Sequence, residues 1–89
     1  MAVIAMFYGI IVSMYFFDKQ RHHKPHVHVR FQEHEAVMGL PEGEVLEGVI
    51  PGAKLKLVVA WIELHKEELM ADWELASQGQ TIFPIDPLR

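Results

Sequence analysis

Residues 18 to 31, DKQRHHKPHVHVRF, place His22, His23, His26 and His28 within seven positions, with Lys19, Arg21, Lys24 and Arg30 around them. Side chains of these types support two kinds of chemistry. Neutral imidazoles coordinate a metal ion, whereas protonated imidazoles beside Arg and Lys attract an anion such as phosphate. On an extended strand His26 and His28 point the same way, with Cα atoms about 6–7 Å apart, close enough to share a Zn²⁺ at Zn–N distances of about 2.0–2.1 Å. Zn²⁺ is the cofactor such a pair suggests, and a third ligand would have to come from His22, His23, His65 or a carboxylate such as Glu35. No HExxH and no second H-x-H occurs elsewhere in the chain to supply it. In the anion reading, His22 and His23 with Arg21, Lys24 and Arg30 hold an anion such as phosphate, and in a phosphodiester-cleaving enzyme one histidine serves as base and another as acid while Arg30 steadies the transition state. The plain alternative makes His26 and His28 polar residues on the wetter face of a half-buried strand, and His22, His23 and His34 solvated loop residues.

The elements that must position these residues follow from pattern. An 89-residue chain supports one domain, residues 1–89, and one two-layer core without a deep enclosed cavity, so a site is a shallow groove or is completed by a partner. The opening MAVIAMFYGIIVSMYFF is uncharged for 17 residues. It lacks a basic start and a small-residue cleavage site, and it is short for a bilayer span, so a membrane role is not expected. Its Ile, Val, Tyr and Phe content predicts instead one strand buried on both faces. After a polar loop, Pro25 opens a second strand in which Val27, Val29 and Phe31 face the core and His26, His28, Arg30 and Gln32 face away. A tight turn at Glu33 and His34 leads to EAVMGL, PEGE supplies a further turn, and VLEGVI is a fourth strand. From Pro51 the period becomes helical. Leu55, Val58, Val59, Ile62, Leu69, Trp73 and Ala76 form an apolar stripe to about Ser77, with a bend expected near Leu64 to Lys66 and Gly79 as the C-terminal cap. The tail TIFPIDPLR is expected to be extended, as an edge strand or an arm. The expected fold is α+β, a small antiparallel β-meander of three to four strands packed against one long or bent C-terminal helix.

Charge limits the partners. The net charge is −4; residues 1–40 carry Lys19, Arg21, Lys24 and Arg30 against Asp18, Glu33 and Glu35 and the remainder is acidic, which argues against coating by nucleic acid while leaving a local basic patch. With no cysteine there are no disulfides and no thiolate metal sites, as expected of a cytosolic protein. Lys54 and Lys56 lie near the positive end of the helix, where a bound anion would relieve the unfavourable placement. Pairing with Glu42, Glu44 and Glu47 would relieve it equally. Trp61 falls at the edge of the helical stripe or outside it, where it covers the tail or meets a partner. His65, one turn beyond, is a candidate for marking the bend, pairing with Glu68 or completing the strand site.

MFYGIIVSMYFFD, PHVHVRF, GEVLEGVIP, AWIELHKEELMADWELA and the closing IDPL together resemble the small prokaryotic family known as domain of unknown function 4160, over nearly the whole chain. The chain departs from that pattern in its His22–His23 pair and in Gly39-Leu40-Pro41. The resemblance carries no settled activity and no catalytic residue. It implies a gene setting beside small regulatory or toxin–antitoxin-like genes. The function expected from the sequence is a small cytosolic interaction module, one half of a regulatory or toxin–antitoxin-like pair, with a homo-oligomer or a small protein as partner. The alternative is a histidine-based phosphodiesterase or nuclease, or a metal-binding protein, built on the Pro-His-x-His strand.

Overall fold

The computed structural model describes residues 2–16 and 24–89. Among them, β1 (Ala2–Phe7), β2 (Ile10–Met14), β3 (His26–Phe31), β4 (His34–Gly39) and β5 (Val45–Gly48) precede one helix, α1 (Gly52–Ser77). The strands form a single antiparallel sheet in chain order, so the α+β meander with a C-terminal helix is the fold.

The sheet has five strands because the opening apolar run is a hairpin, not the one strand its composition suggested. Phe7 pairs with Ile10 across a two-residue turn in which Tyr8 and Gly9 have φ of 52° and 79°. Positive φ at both central residues is what lets such a turn match the twist of its strands, and glycine adopts it without steric cost. In β1 the register shifts between Val3 and Ala5, so Ile4 is an extra residue, and it turns to the core together with Ala5. The next turn is Gln32–Glu33, one residue earlier than expected, with Gln32 at φ 54°.

Alternation then sorts each strand. Ile10, Val12, Met14, Val27, Val29 and Met38 pack in one cluster with Val58, Trp61, Ile62, Leu69 and Trp73 of α1. Val27 and Val29 are therefore core residues, as the pattern of β3 predicted, while Phe31 sits at the margin of the cluster. The helix stripe needs one correction. Val59 is exposed and Trp61 is fully buried, at 0%. At about 100° per residue, Trp61 lies about 60° to one side of Val58, and its ring meets Phe7 at 5.4 Å.

The bend in α1 is real and lies at His65, whose φ/ψ of −120°/21° is not helical. His65 Nδ1–H donates to Glu68 at 2.7 Å, and Lys66 pairs with Glu63 at 2.9 Å across the bend. Beyond the helix Gly79 takes φ 73°, and the N–H groups of Gly79 and Gln80 donate to the carbonyls of Ala76 and Leu75. That closure satisfies the last carbonyls and turns the chain back toward the sheet.

The tail is an arm laid along the β1 edge. Ile82 and Ile85 join the core cluster, Ile85 N–H donates to the carbonyl of the bulged Ile4 at 2.8 Å, and Trp61 Nε1–H donates to the carbonyl of Asp86 at 2.8 Å. Trp61 thus packs under the tail. No helix among the described residues is long and apolar enough to cross a membrane.

Candidate functional site

The side of the sheet away from the core is where alternation puts chemistry-bearing residues. Cross-strand register builds two rows there, Val3–Ser13–His28–Val37–Glu47 and Met6–Ile11–Arg30–Glu35. Most of these residues line a groove of about 570 Å³, with Tyr15 at one end. Its floor mixes apolar and polar side chains. Val3 and Met6 are 47% and 63% exposed, large values for apolar residues in a sheet.

His28 sits near the middle of this face, its ring stacked on Tyr15 at 4.0 Å with 14° between the planes. Arg30 lies one step along the strand on the same side. Its guanidinium is 3.7 Å from Glu35, directly opposite on β4, and both side chains are largely exposed. An ion pair at that distance and exposure contributes about 0–1 kcal/mol. It is loosely held and can be rearranged by anything that docks.

His26 corrects the expectation of a wet strand face, since it is only 1% exposed. The second half of α1 reaches the start of β3, where Trp73 covers His26 at a ring distance of 4.9 Å. Its Nδ1 lies 2.8 Å from the Lys24 carbonyl. Because a carbonyl only accepts, Nδ1 carries the proton. The His26 and His28 rings meet edge to face at 5.4 Å, so the two histidines are neighbours, as their spacing required. Among the described residues no group of three or more His, Cys, Asp or Glu side chains gathers to hold a metal ion. His22 and His23 lie outside the described residues. His65 is drawn toward Glu68 and lies against Trp61 at 5.7 Å.

The lysines at the start of α1 do not take Glu42 or Glu44 as partners. Lys54 donates to the Tyr8 carbonyl at 3.2 Å and sits 5.1 Å from the centre of the Phe31 ring, pinning the first hairpin to the helix. Lys56 is exposed. Glu42 and Glu44 pair instead with Lys24, at 2.7 and 3.1 Å. Hydrogen bonds that Lys24 donates to Glu42 and then Glu44 hold its pKa above its ordinary value, and Lys24 holds Glu42 below the usual carboxylate value.

The residues that sequence reasoning missed are Val3, Met6, Ile11, Ser13 and Tyr15. Once the opening run is divided at Gly9, Ile11, Ser13 and Tyr15 fall at alternate positions, the signal that would have placed them on one face.

The model of a family described as a domain of unknown function, DUF4160, matches residues 9–74. The match covers β2 to β5 and most of α1, and leaves outside it β1 and the tail, the two segments that hydrogen-bond to each other. No curated protein and no solved structure matches the chain. The chain belongs to the DUF4160 family.

Proposed function

We propose that this DUF4160 member is a protein-interaction module that binds another polypeptide on the open face of its sheet. The observation that carries the reading is the exposure of Val3 and Met6, apolar side chains on the side of the sheet that α1 does not cover. Apolar side chains grouped around a few polar ones form the usual core of a protein interface. One half of a small cytosolic regulatory or toxin–antitoxin-like pair, which the family resemblance implied, is a role such a module can fill. The alternative of histidine-based phosphodiester cleavage draws on His28 and Arg30 sharing the groove. Glu35 beside Arg30, and Glu47 in the same groove, oppose a polyanion there.

Photo-crosslinking in the cells that make the protein tests this reading. A crosslinking residue at Met6 should yield a heavier adduct, whereas one at the exposed Glu67 of α1 should not. No adduct at position 6, or equal adducts at both positions, overturns it.

A further inference from the structure

We propose that the outer edge of β5 takes an extended segment of a partner protein, apolar and basic at alternating positions, as a sixth strand of the sheet. The proposal goes beyond the open-face reading and uses a different part of the molecule.

The two edges of the sheet are treated differently. The chain closes β1 itself: the tail runs along it, Ile85 N–H donates to the Ile4 carbonyl at 2.8 Å, and Ile82 and Ile85 join the core cluster. Among the described residues β5 has β4 on one side and no strand on the other. Its backbone is turned outward at defined places. The Glu44 carbonyl accepts from Gly39 N–H, and Val49 N–H donates to the Glu35 carbonyl, so these two residues face β4 and the intervening Val45 and Gly48 direct their N–H and C=O groups away from it. Such groups are matched in series only by another extended backbone. From Val45 to Val49 the edge carries neither proline nor lysine, the residues that most often blunt one. Leu46 is an extra residue against β4 and bends the strand, so the added segment must be short.

The side chains then say what the segment is made of. Val45 lies opposite Met38, a core residue, and so is on the α1 side of the sheet, yet it is exposed. A methyl group at Gly43 would lie 3.7 Å from Ile62, so Ile62 packs on the turn that leads into β5. Trp61, on the other flank of Val58, is turned toward β1. Val59, about 60° beyond Ile62 and also exposed, therefore faces the β5 side. Val45 and Val59 offer apolar surface to a strand added there, and Val49, which follows β5, is 71% exposed.

The other side is acidic. Residues 31–53 hold Glu33, Glu35, Glu42, Glu44 and Glu47 and no lysine or arginine. Lys24 and Arg30 reach in to pair with Glu42, Glu44 and Glu35, two cations for a segment of five acids. Glu47 lies opposite Val37, on the side away from Val45. A strand that sets apolar residues beside Val45 places its alternate residues on the side of Glu47, where lysine or arginine is the matching charge and an acidic segment is repelled.

Two labelled peptides, KVKIKV and EVEIEV, test the proposal on the purified full chain, since they share apolar positions and differ in the sign of their charge. KVKIKV should bind and slow amide exchange at Val45 by about tenfold or more, because an N–H matched by an added strand exchanges only when that strand leaves. EVEIEV should bind at least about tenfold more weakly. Val45→Lys and Val49→Lys, at exposed positions, should each weaken KVKIKV binding by about tenfold while unfolding stays cooperative. Glu67→Lys, exposed on α1 and a larger change in net charge, should leave binding as it is. No slowing at Val45 with KVKIKV at about 1 mM overturns the proposal. Equal binding of the two peptides overturns it too, as does a loss in Glu67→Lys as large as in the β5 variants, which would make the attraction one of net charge alone. Should either lysine in β5 prevent folding, the two peptides and the exchange at Val45 in the parent still decide. The adduct at Met6 reports on the open face, so either reading can fail without the other.

Discussion

The two faces of this sheet are built from the same strands, one residue apart, and do different things. On the covered face Val27 and Val29 of β3, Val12 of β2 and Met38 of β4 are buried under α1, and with Trp61, Ile62 and Leu69 they make one continuous cluster. On the open face the intervening residues, His28, Arg30, Ser13 and Val37, line a groove. Burial of an aliphatic side chain stabilises by about 1.5–3 kcal/mol, so the covered face is where the fold derives its stability. The open face contributes less to folding, and residues there can be chosen for what they bind. In so small a domain that division follows directly from a period of two: a single helix covers one side of a sheet and leaves the other side to different residues.

The difference predicts a steep contrast in mutational cost. Trp61→Ala removes a fully buried ring, its contact with Phe7 and the donor to Asp86, and should destabilise by about 3–5 kcal/mol in urea unfolding. Met6→Ala, measured at high dilution so that association does not contribute, should stay within about 0.5 kcal/mol of the parent. Comparable losses would mean that the open face is as important to the fold as the covered one.

A finer contrast lies within β3. Val29→Ala should cost about 1–3 kcal/mol. His28→Ala should cost about 0.5–1.5 kcal/mol through the lost stacking on Tyr15, and Arg30→Ala less than about 0.5 kcal/mol, since its pair with Glu35 is long and exposed. Three consecutive positions should thus give urea midpoints that fall in the order Val29→Ala lowest, His28→Ala next and Arg30→Ala nearest the parent. A larger loss for Arg30→Ala than for Val29→Ala would reverse the assignment of faces.

These contrasts also mark how much the sequence disclosed. Regions with one dominant period were legible: the alternation of β3, the helix to Ser77, its bend at His65 and its closure at Gly79 all follow from local pattern. The first hairpin was not, because a run of 17 uncharged residues has no polar face to reveal a reversal, and its turn uses Tyr8 where Asn or Asp would have been diagnostic. His26 defeated the pattern for a different reason. Its burial depends on Trp73, 47 positions away, and strand alternation carries no information about what a bent helix will cover. The candidate site was half visible for the same reasons: His28 and Arg30 were placed on one face, but the apolar side chains that make that face a groove came from the hairpin that was read as one strand.

The smallest expected effect concerns an exception on the covered face. Asp72 of α1 is 3% exposed; its Oδ1 accepts the Phe83 N–H at 3.0 Å, and its Oδ2 has no hydrogen-bond partner among the described residues. Burial pushes the carboxyl above its ordinary value of 3.8, the Phe83 N–H pulls it partly back, and Glu68 adds to the rise. A raised pKa means that the folded state holds this proton more tightly than the unfolded chain does. Stability from Asp72 must then grow as pH falls through its folded pKa toward 3.8, and be lost again as pH rises through that window. The ionised form at neutral pH is the costly one, tolerated because the same carboxylate ties the tail to the helix and so keeps Trp61 covered. Glu42, held below its ordinary value, titrates with the opposite sign, so the parent's own pH curve does not isolate Asp72. The difference between the parent and Asp72→Asn does, since the amide keeps an acceptor for Phe83 and cannot ionise. Urea midpoints of both proteins from about pH 7 down to about pH 4 should show the parent gaining on the variant as the solution is acidified. A constant difference, or a parent that loses ground, would mean that Asp72 is solvated or finds a cation, and that the covered face holds no buried charge.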